Sequence, residues 1–455
     1  MVYALSLILL FFLVLNFDLG GGDYLYPPFL FTFMFFVFCV ICAIGASYYD
    51  VHLTVLTVFT ILLGIAVFTF IVPLFAGSQK KAEKRELTYI RISNITCIML
   101  IVLQLISIVF FIKYLRDLSA AYTDAGYTHL AATNLSGMIK LYDTMTKFWT
   151  TIFNELAVPV PMAYRITNPL CSAAEYMLLY IGVNNFILTK RVNIYHLVVY
   201  LLMVVRIVLN GSRSPLLRVA TFALAVFYIL QYRRGRIRKG SYKLLGKIIV
   251  LAFLLIIAMF AMLALMGRSS GSGNIFGEIF VYAGAPIANL NIFINRYWKY
   301  FLTGCPQNIW GGQTFGNLYQ YIAKLTSRSI TIDTYGKFEF SGGHEIGNVY
   351  TMFASVLYDF GIFGVVFIVA IMAFYYGYTY YKVMFPVKSD PFDFRLFIYA
   401  YLVNDLIMSP FSNRFYLTVC DAPFIKLFIV SLILKYFMFD RRIRVKNGNL
   451  YYRTR

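Results

Sequence analysis

Apolar residues come in long blocks along this chain. Windows of about 19 residues pick out runs near 3–17, 28–48, 52–75, 93–113, 168–188, 194–210, 216–232, 245–266, 349–378, 394–409 and 422–439. Each approaches or exceeds the length a helix needs to cross the ~30 Å hydrocarbon layer of a bilayer. The run 27–75 is interrupted only at Ser47-Tyr48-Tyr49-Asp50, which reads as a tight hairpin between two spans. Aromatic residues crowd the ends of many runs, as interfacial belts do. The pattern predicts an all-α polytopic membrane protein with about 11 transmembrane helices, within a range of 10–12, forming a single integral membrane domain over 1–455.

Composition removes the alternatives. Of 455 residues 60% are hydrophobic and 13% charged, with 44 Phe and 37 Tyr, and the mean hydropathy is +0.72. A soluble domain carries roughly 25% charged residues, so soluble enzymes, disulfide scaffolds and disordered chains are excluded. The first run lacks a basic leader and a small-residue cleavage site, so no cleavable signal peptide is expected. The pair Cys39 and Cys42 lies in an apolar run without a His or further Cys, and reads as buried packing rather than a metal or redox site. No metal or cofactor is expected.

The net charge of +20 reads as orientation rather than nucleic-acid binding. Lys80, Lys81, Lys84, Arg85 and Arg91, then Lys190 and Arg191, then the group from Arg233 to Lys243, then Lys382 and Lys388, and the tail from Arg441 to Arg455 all fall on one side of eleven spans. The positive-inside rule makes that side the cytoplasm, which places the C-terminus inside and the N-terminus outside. The opposite connections carry little beyond Arg213 and Arg414 in their short members. Two are long: 114–166, and 267–348 in the C-terminal half. The second is rich in Gly, Asn and aromatics, among them Tyr297, Trp298, Trp310 and Tyr321, which argues for a functional loop rather than a linker.

Unusual residues gather on that opposite side. In Asn210-Gly-Ser-Arg213-Ser-Pro215 an arginine stands at a turn between two spans; its planar fork suits phosphate, and the plain alternative is snorkelling to headgroups. Arg268 follows the next span and Arg296 lies in Asn295-Arg296-Tyr297-Trp298. The sharpest stretch runs Gly342-Gly343-His344-Glu345-Ile346-Gly347-Asn348-Val349-Tyr350, then Tyr358-Asp359-Phe360-Gly361-Ile362-Phe363-Gly364. A His beside a carboxylate is a sensible general base; a surface His at a helix start is the plain alternative. With a helix starting near Gly347, Asn348, Ser355 and Asp359 share one face. Asp359 then lies about three turns into the membrane, where a carboxylate costs roughly 2.5–3.5 kcal/mol and normally has a partner. Arg206 and Asp405 are similar cases. The glycines at 271, 273 and 277 do not form a phosphate loop, since the Lys-Ser/Thr ending is missing.

At these residues the chain resembles bacterial O-antigen and capsule repeat-unit polymerases (Wzy-type), within the larger group that includes O-antigen ligases. The resemblance covers the overall topology, and its specific parts are Gly211-Ser212-Arg213-Ser214 and the run from Asn348-x-Tyr350 to Asp359-Phe360-Gly361-x-x-Gly364. In the ligase-type pattern a His directly precedes the Asn; here Gly347 holds that place. The resemblance implies transfer of an oligosaccharide from undecaprenyl pyrophosphate to a terminal hydroxyl of another lipid-linked repeat unit. The setting it implies is the periplasmic face of the inner membrane, in O-antigen or capsule biosynthesis, alongside a chain-length regulator and a flippase. Under it Arg213 and Arg268 hold pyrophosphate with Arg296 as a further candidate. His344, Glu345 or Asp359 serves as base, and Asn348 and Tyr350 orient the site. Rival expectations are an O-antigen ligase and a lipid-linked oligosaccharide flippase, the latter favoured by Arg206, Asp359 and Asp405 but not by any internal repeat.

Overall fold

A computed structural model describes residues 1–78, 86–125, 132–152, 158–212, 214–237, 275–306, 309–326, 330, 332, 335–386, 390–446 and 449–454. The architecture is an all-α polytopic membrane protein. Within hydrocarbon every backbone N–H and C=O has to be satisfied inside the segment, so apolar runs of this length fold as helices. The helices are α1 (Val2–Leu19), α2 (Pro27–Gly45), α3 (Val55–Ile71), α4 (Asn94–Asp124), α5 (Leu135–Ile152), α6 (Met162–Thr189), α7 (Ile194–Leu209) and α8 (Ser214–Arg233). After these come α9 (Phe276–Arg296), α10 (Gly316–Thr326), α11 (Met352–Met384), α12 (Phe394–Ile407), α13 (Arg414–Val419) and α14 (Ala422–Lys435). Ten of the eleven expected spans coincide with helices; the expected span 245–266 lies outside the described residues. Eight of the described helices are long and apolar enough to cross a membrane.

One of those eight, α9, does not run through the bundle. Phe280 near its start stacks on Tyr49 at 3.8 Å between ring centroids. Eleven residues later Asn291 still holds the same α2–α3 turn. Its Oδ1 accepts from Thr54 N, Thr54 Oγ1 and Thr57 Oγ1 at 2.7–3.0 Å, and its Nδ2 donates to His52 O. Eleven residues of helix span ~16 Å, so α9 lies across the ends of α2 and α3. Its apolar length reflects burial against α2, α3 and α11 rather than a crossing.

The first long loop is largely helix. With 31 residues, α4 is ~46 Å long and exceeds the hydrocarbon layer by several turns. Its projecting end stays helical because Leu115, Leu118 and Tyr122 bury against Ile139, Leu141 and Met145 of α5. Within 267–348 the described residues likewise contain α9, α10 and a short antiparallel hairpin, β1 (Glu339–Ser341) with β2 (His344–Gly347).

At the basic end two carboxylates, Asp393 and Asp23, are paired. Arg233 at the end of α8 donates to Asp393 at 2.7 Å and to Val383 O, while Asp393 caps α12 through Arg395 N and Leu396 N. Asp23, fully buried, accepts from Tyr228 Oη at 2.8 Å and Tyr380 Oη at 2.6 Å, and so ties α8 to α11. Cys39 and Cys42 are buried in the core, Cys39 Sγ lying 3.3 Å from Ser6 Oγ.

Candidate functional site

The opposite end is built on the β1–β2 hairpin. Gly342 and Gly343 form its two-residue turn between paired Ser341 and His344, with φ of +56° and +77°. Two successive positive φ values are the primed turn that matches strand twist, and glycine reaches them without a Cβ penalty. The turn sits against Tyr49. His344 stacks face-on upon Tyr48 at 4.6 Å and edge-on to Tyr49 at 5.5 Å. His344, Glu345 and Asn348 are exposed, while Ile346 anchors the strand in the core. Because His344 and Glu345 are neighbours on a strand, their side chains leave opposite faces, and they do not form a paired acid and base.

The helix after the hairpin begins later than Gly347. Its first residue is Met352, with Thr351 Oγ1 accepting from Phe353 N as the cap; Gly347, at φ +80°, ends the strand instead. Asn348 therefore lies off the helix and does not share a face with Asp359, which sits two turns in. Sequence periodicity missed this because the strand and the cap occupy only a few residues each.

Behind the hairpin, Arg296 at the end of α9 meets Glu339 through two hydrogen bonds of 2.8 and 2.7 Å, and the Tyr350 hydroxyl joins the same carboxylate. Burial alone pushes the Glu339 carboxyl up, but the bonds from Arg296 and Tyr350 outweigh it and hold it below the usual glutamate range. Burial, then the neighbouring Glu339, raises the Tyr350 hydroxyl. Two predicted residues, Arg296 and Tyr350, are thus brought together by a third that the sequence did not single out. The charge of Arg296 is neutralised where it stands. Around this trio Phe293, Tyr297, Tyr335, Tyr350 and Tyr358 form an aromatic wall with centroid separations of 5.0–6.3 Å.

Helix α11 is broken at Gly361, where φ is +67° and ψ −163°. The segment 301–305 docks into the break: Ile362 N donates to Phe301 O at 2.8 Å and Cys305 N to Tyr358 O at 2.7 Å. A Cβ at Gly361 would overlap the Leu302 carbonyl, and one at Gly304 would lie 2.7 Å from the Asp359 carbonyl. Asp359 precedes the break. Its oxygens accept from Gln313 N at 3.1 Å and Thr314 N at 2.6 Å, so the predicted partner of this carboxylate is main chain of the long loop.

An arginine locus adjoins the break. Arg218, four residues into α8, forms a two-pronged bond to the fully buried Asp405 of α12 at 2.7 and 2.9 Å. It also donates to Tyr401 O and Thr418 Oγ1, and lies 4.6 Å from the Tyr401 ring. The predicted buried Arg206 pairs with Glu175 of α6 through one nitrogen, while its other terminal nitrogen bonds Asn168. The α12–α13 turn reaches the long loop through Asn413 Nδ2, which donates to Thr314 O at 3.1 Å. Arg213 and Arg268 lie outside the described residues. Arg218 was the legible omission: a cation inside an apolar run demands a partner, and Asp405 was already in view. Among the described residues no group of three or more His, Cys, Asp or Glu side chains is placed to hold a metal.

Neither family models, nor curated proteins, nor solved structures match this chain.

Proposed function

We propose that this protein polymerises lipid-linked oligosaccharide repeat units, moving a glycan from undecaprenyl pyrophosphate to the terminal sugar hydroxyl of a second lipid-linked unit. The membrane is the bacterial inner membrane and the working face is the periplasmic one, opposite the basic connections. The observation that carries the reading is the broken helix α11 with the 301–305 segment seated in it beside a wall of tyrosines. Irregular backbone at membrane depth is tolerated where it is buried in protein or lines a cavity, and discontinuous helices commonly build sites for charged substrates at such breaks. Tyrosine rings give sugars an apolar face and a polar edge together.

The chemistry divides among the residues as follows. The acceptor hydroxyl oxygen attacks the anomeric carbon and the bond from that carbon to the pyrophosphate oxygen breaks. The leaving pyrophosphate takes the electron pair, and the hydroxyl proton passes to a base. Asp359 is engaged by two main-chain donors and acts as a positioning residue. His344 and Glu345 are exposed and remain the candidates for the base, with Asn348 beside them. Arg296, held by Glu339, shapes the wall, so Arg213 and Arg268 remain the expected pyrophosphate ligands. A chain-length regulator and a flippase are the expected partners, and no cofactor is required.

The test is reconstitution of the purified protein with the repeat unit from its own host. A ladder of products is expected, and His344→Ala should slow its growth by about 10²–10⁴-fold if His344 is the base. No ladder from folded protein overturns the polymerase reading. Transfer to a different lipid acceptor would then indicate a ligase, and a change in substrate sidedness across vesicles a flippase.

A further inference from the structure

Arg414 opens α13 in the turn between α12 and α14. Among the described residues it has no ion pair and no side-chain hydrogen bond, and its Nε is buried without a partner; only the Phe411 ring lies over it, at 5.7 Å. The two charges that act on it, Asp405 and Arg218, already satisfy one another through two bonds. Burial pulls the Arg414 guanidinium pKa down; Asp405 opposes the shift and Arg218 adds to it. Asp421, which shares the influence of Arg218, is attended by Lys324 and Lys426 as well. The locus therefore carries more cation than carboxylate.

Two further groups around it are also unsatisfied. Thr314 Oγ1 and Asn413 Oδ1 are buried without partners, on side chains 0% and 4% exposed. Asn413 precedes Arg414 in the chain, and its Nδ2 bonds Thr314 O at 3.1 Å, so the three residues come from two adjoining stretches of backbone. Thr314 is in turn fixed by Asp359. Buried polar groups are as a rule hydrogen-bonded, and Arg414 is a half-buried cation without an ion pair among the described residues. The set is complementary to an oxyanion: a guanidinium and a hydroxyl donate, while Asn413 Oδ1 accepts from a hydroxyl of the same ligand. The tertiary framework makes these groups rigid, as a preformed anion site requires.

We infer that Arg414, Thr314 and Asn413, with Arg218 behind them, bind a phosphate oxyanion carried by a membrane lipid. The identity of the carrier, the lipid pyrophosphate of the donor, rests on the proposed function; the anion site itself rests only on these unpaired groups.

The experiment uses the full chain in nanodiscs of a zwitterionic lipid. Farnesyl pyrophosphate serves as a short lipid pyrophosphate and is compared with inorganic pyrophosphate and phosphatidic acid. Binding of farnesyl pyrophosphate is expected, weakened at least about tenfold by Arg414→Gln and roughly fivefold by Thr314→Val. Without ligand, Arg414→Gln should melt no lower than the parent, because it removes a half-buried cation that has no ion pair. Unchanged affinity in Arg414→Gln overturns the inference, as does a lower melting temperature of the ligand-free variant, which would make Arg414 a structural support. Phosphatidic acid binding equally well, with the same Arg414 dependence, assigns the site to phospholipid headgroups. Arg414-dependent binding in a protein that builds no polymer rejects the polymerase and leaves the site standing. Polymer made at the parent rate by an Arg414→Gln protein with unaltered affinity does the reverse.

Discussion

At the basic end of the bundle Arg233 meets Asp393, and Asp23 is met by two tyrosines; at the opposite end Arg218 meets Asp405 while Arg414, under the Phe411 ring, has no ion pair among the described residues. The backbone differs in the same way. The basic end of α11 continues regularly to Met384, whereas its other end is broken at Gly361 and filled by a loop. At the basic end the helix is regular and the charges named are paired, although Gln231 Oε1 is buried there without a partner among the described residues. The other end breaks local rules at several neighbouring positions, and such conflicts concentrate at functional sites.

The difference between the two ends depends most on the break itself. Gly361→Ala forces a side chain into the Leu302 carbonyl at a positive φ and should cost about 4 kcal/mol or more, seen as loss of folded protein in detergent thermal melts. An ordinary melt for that variant would show that the break is not structurally required. Next comes the buried pair. Arg218→Met leaves Asp405 uncompensated and should cost about 3–5 kcal/mol, whereas Arg218→Met with Asp405→Leu should recover most of it. A double-mutant cycle measures the difference, and equal melting of single and double variants would deny the coupling.

Smaller effects sharpen the picture. Tyr350→Phe removes one bond to a charged group, about 1.5–3 kcal/mol by the usual range, and should also raise the Glu339 pKa. Because Glu339 is held below its unfolded value, its contribution is present above the ordinary glutamate pKa and is lost as pH falls through the depressed folded one. Melting temperature should therefore decline in that acid window, and Glu339→Gln should flatten the decline. Smallest of all, Asn348→Ala alters an exposed side chain and should stay within about 0.5 kcal/mol of the parent. A larger loss would mean that Asn348 supports the hairpin.

The uneven legibility of the chain follows from the range of the interactions. Runs of Leu, Phe, Ile and Val near 20 residues, basic connections on one side, and the buried ionisable residues Arg206 and Asp405 could be read directly. Lipid leaves a long apolar run one outcome, and a charge inside such a run demands a partner. The hydropathy windows left 276–296 inside the long outer loop, and no local signal showed that a helix there packs across the ends of α2 and α3. Nor could hydropathy place the start of α11, because a two-glycine turn, a four-residue strand and a threonine cap are too short to impose a period.

The all-helical membrane fold was thus determined by the sequence alone, through the one requirement that hydrocarbon imposes on every backbone amide. Only the tertiary structure decided which partner each buried charge found: Glu175 for Arg206, Asp405 for Arg218, Glu339 for Arg296, and none for Arg414 among the described residues. Those pairings join residues 31, 187 and 43 positions apart, and a separation along the chain carries no information about a distance of less than 3 Å until the helices between have packed.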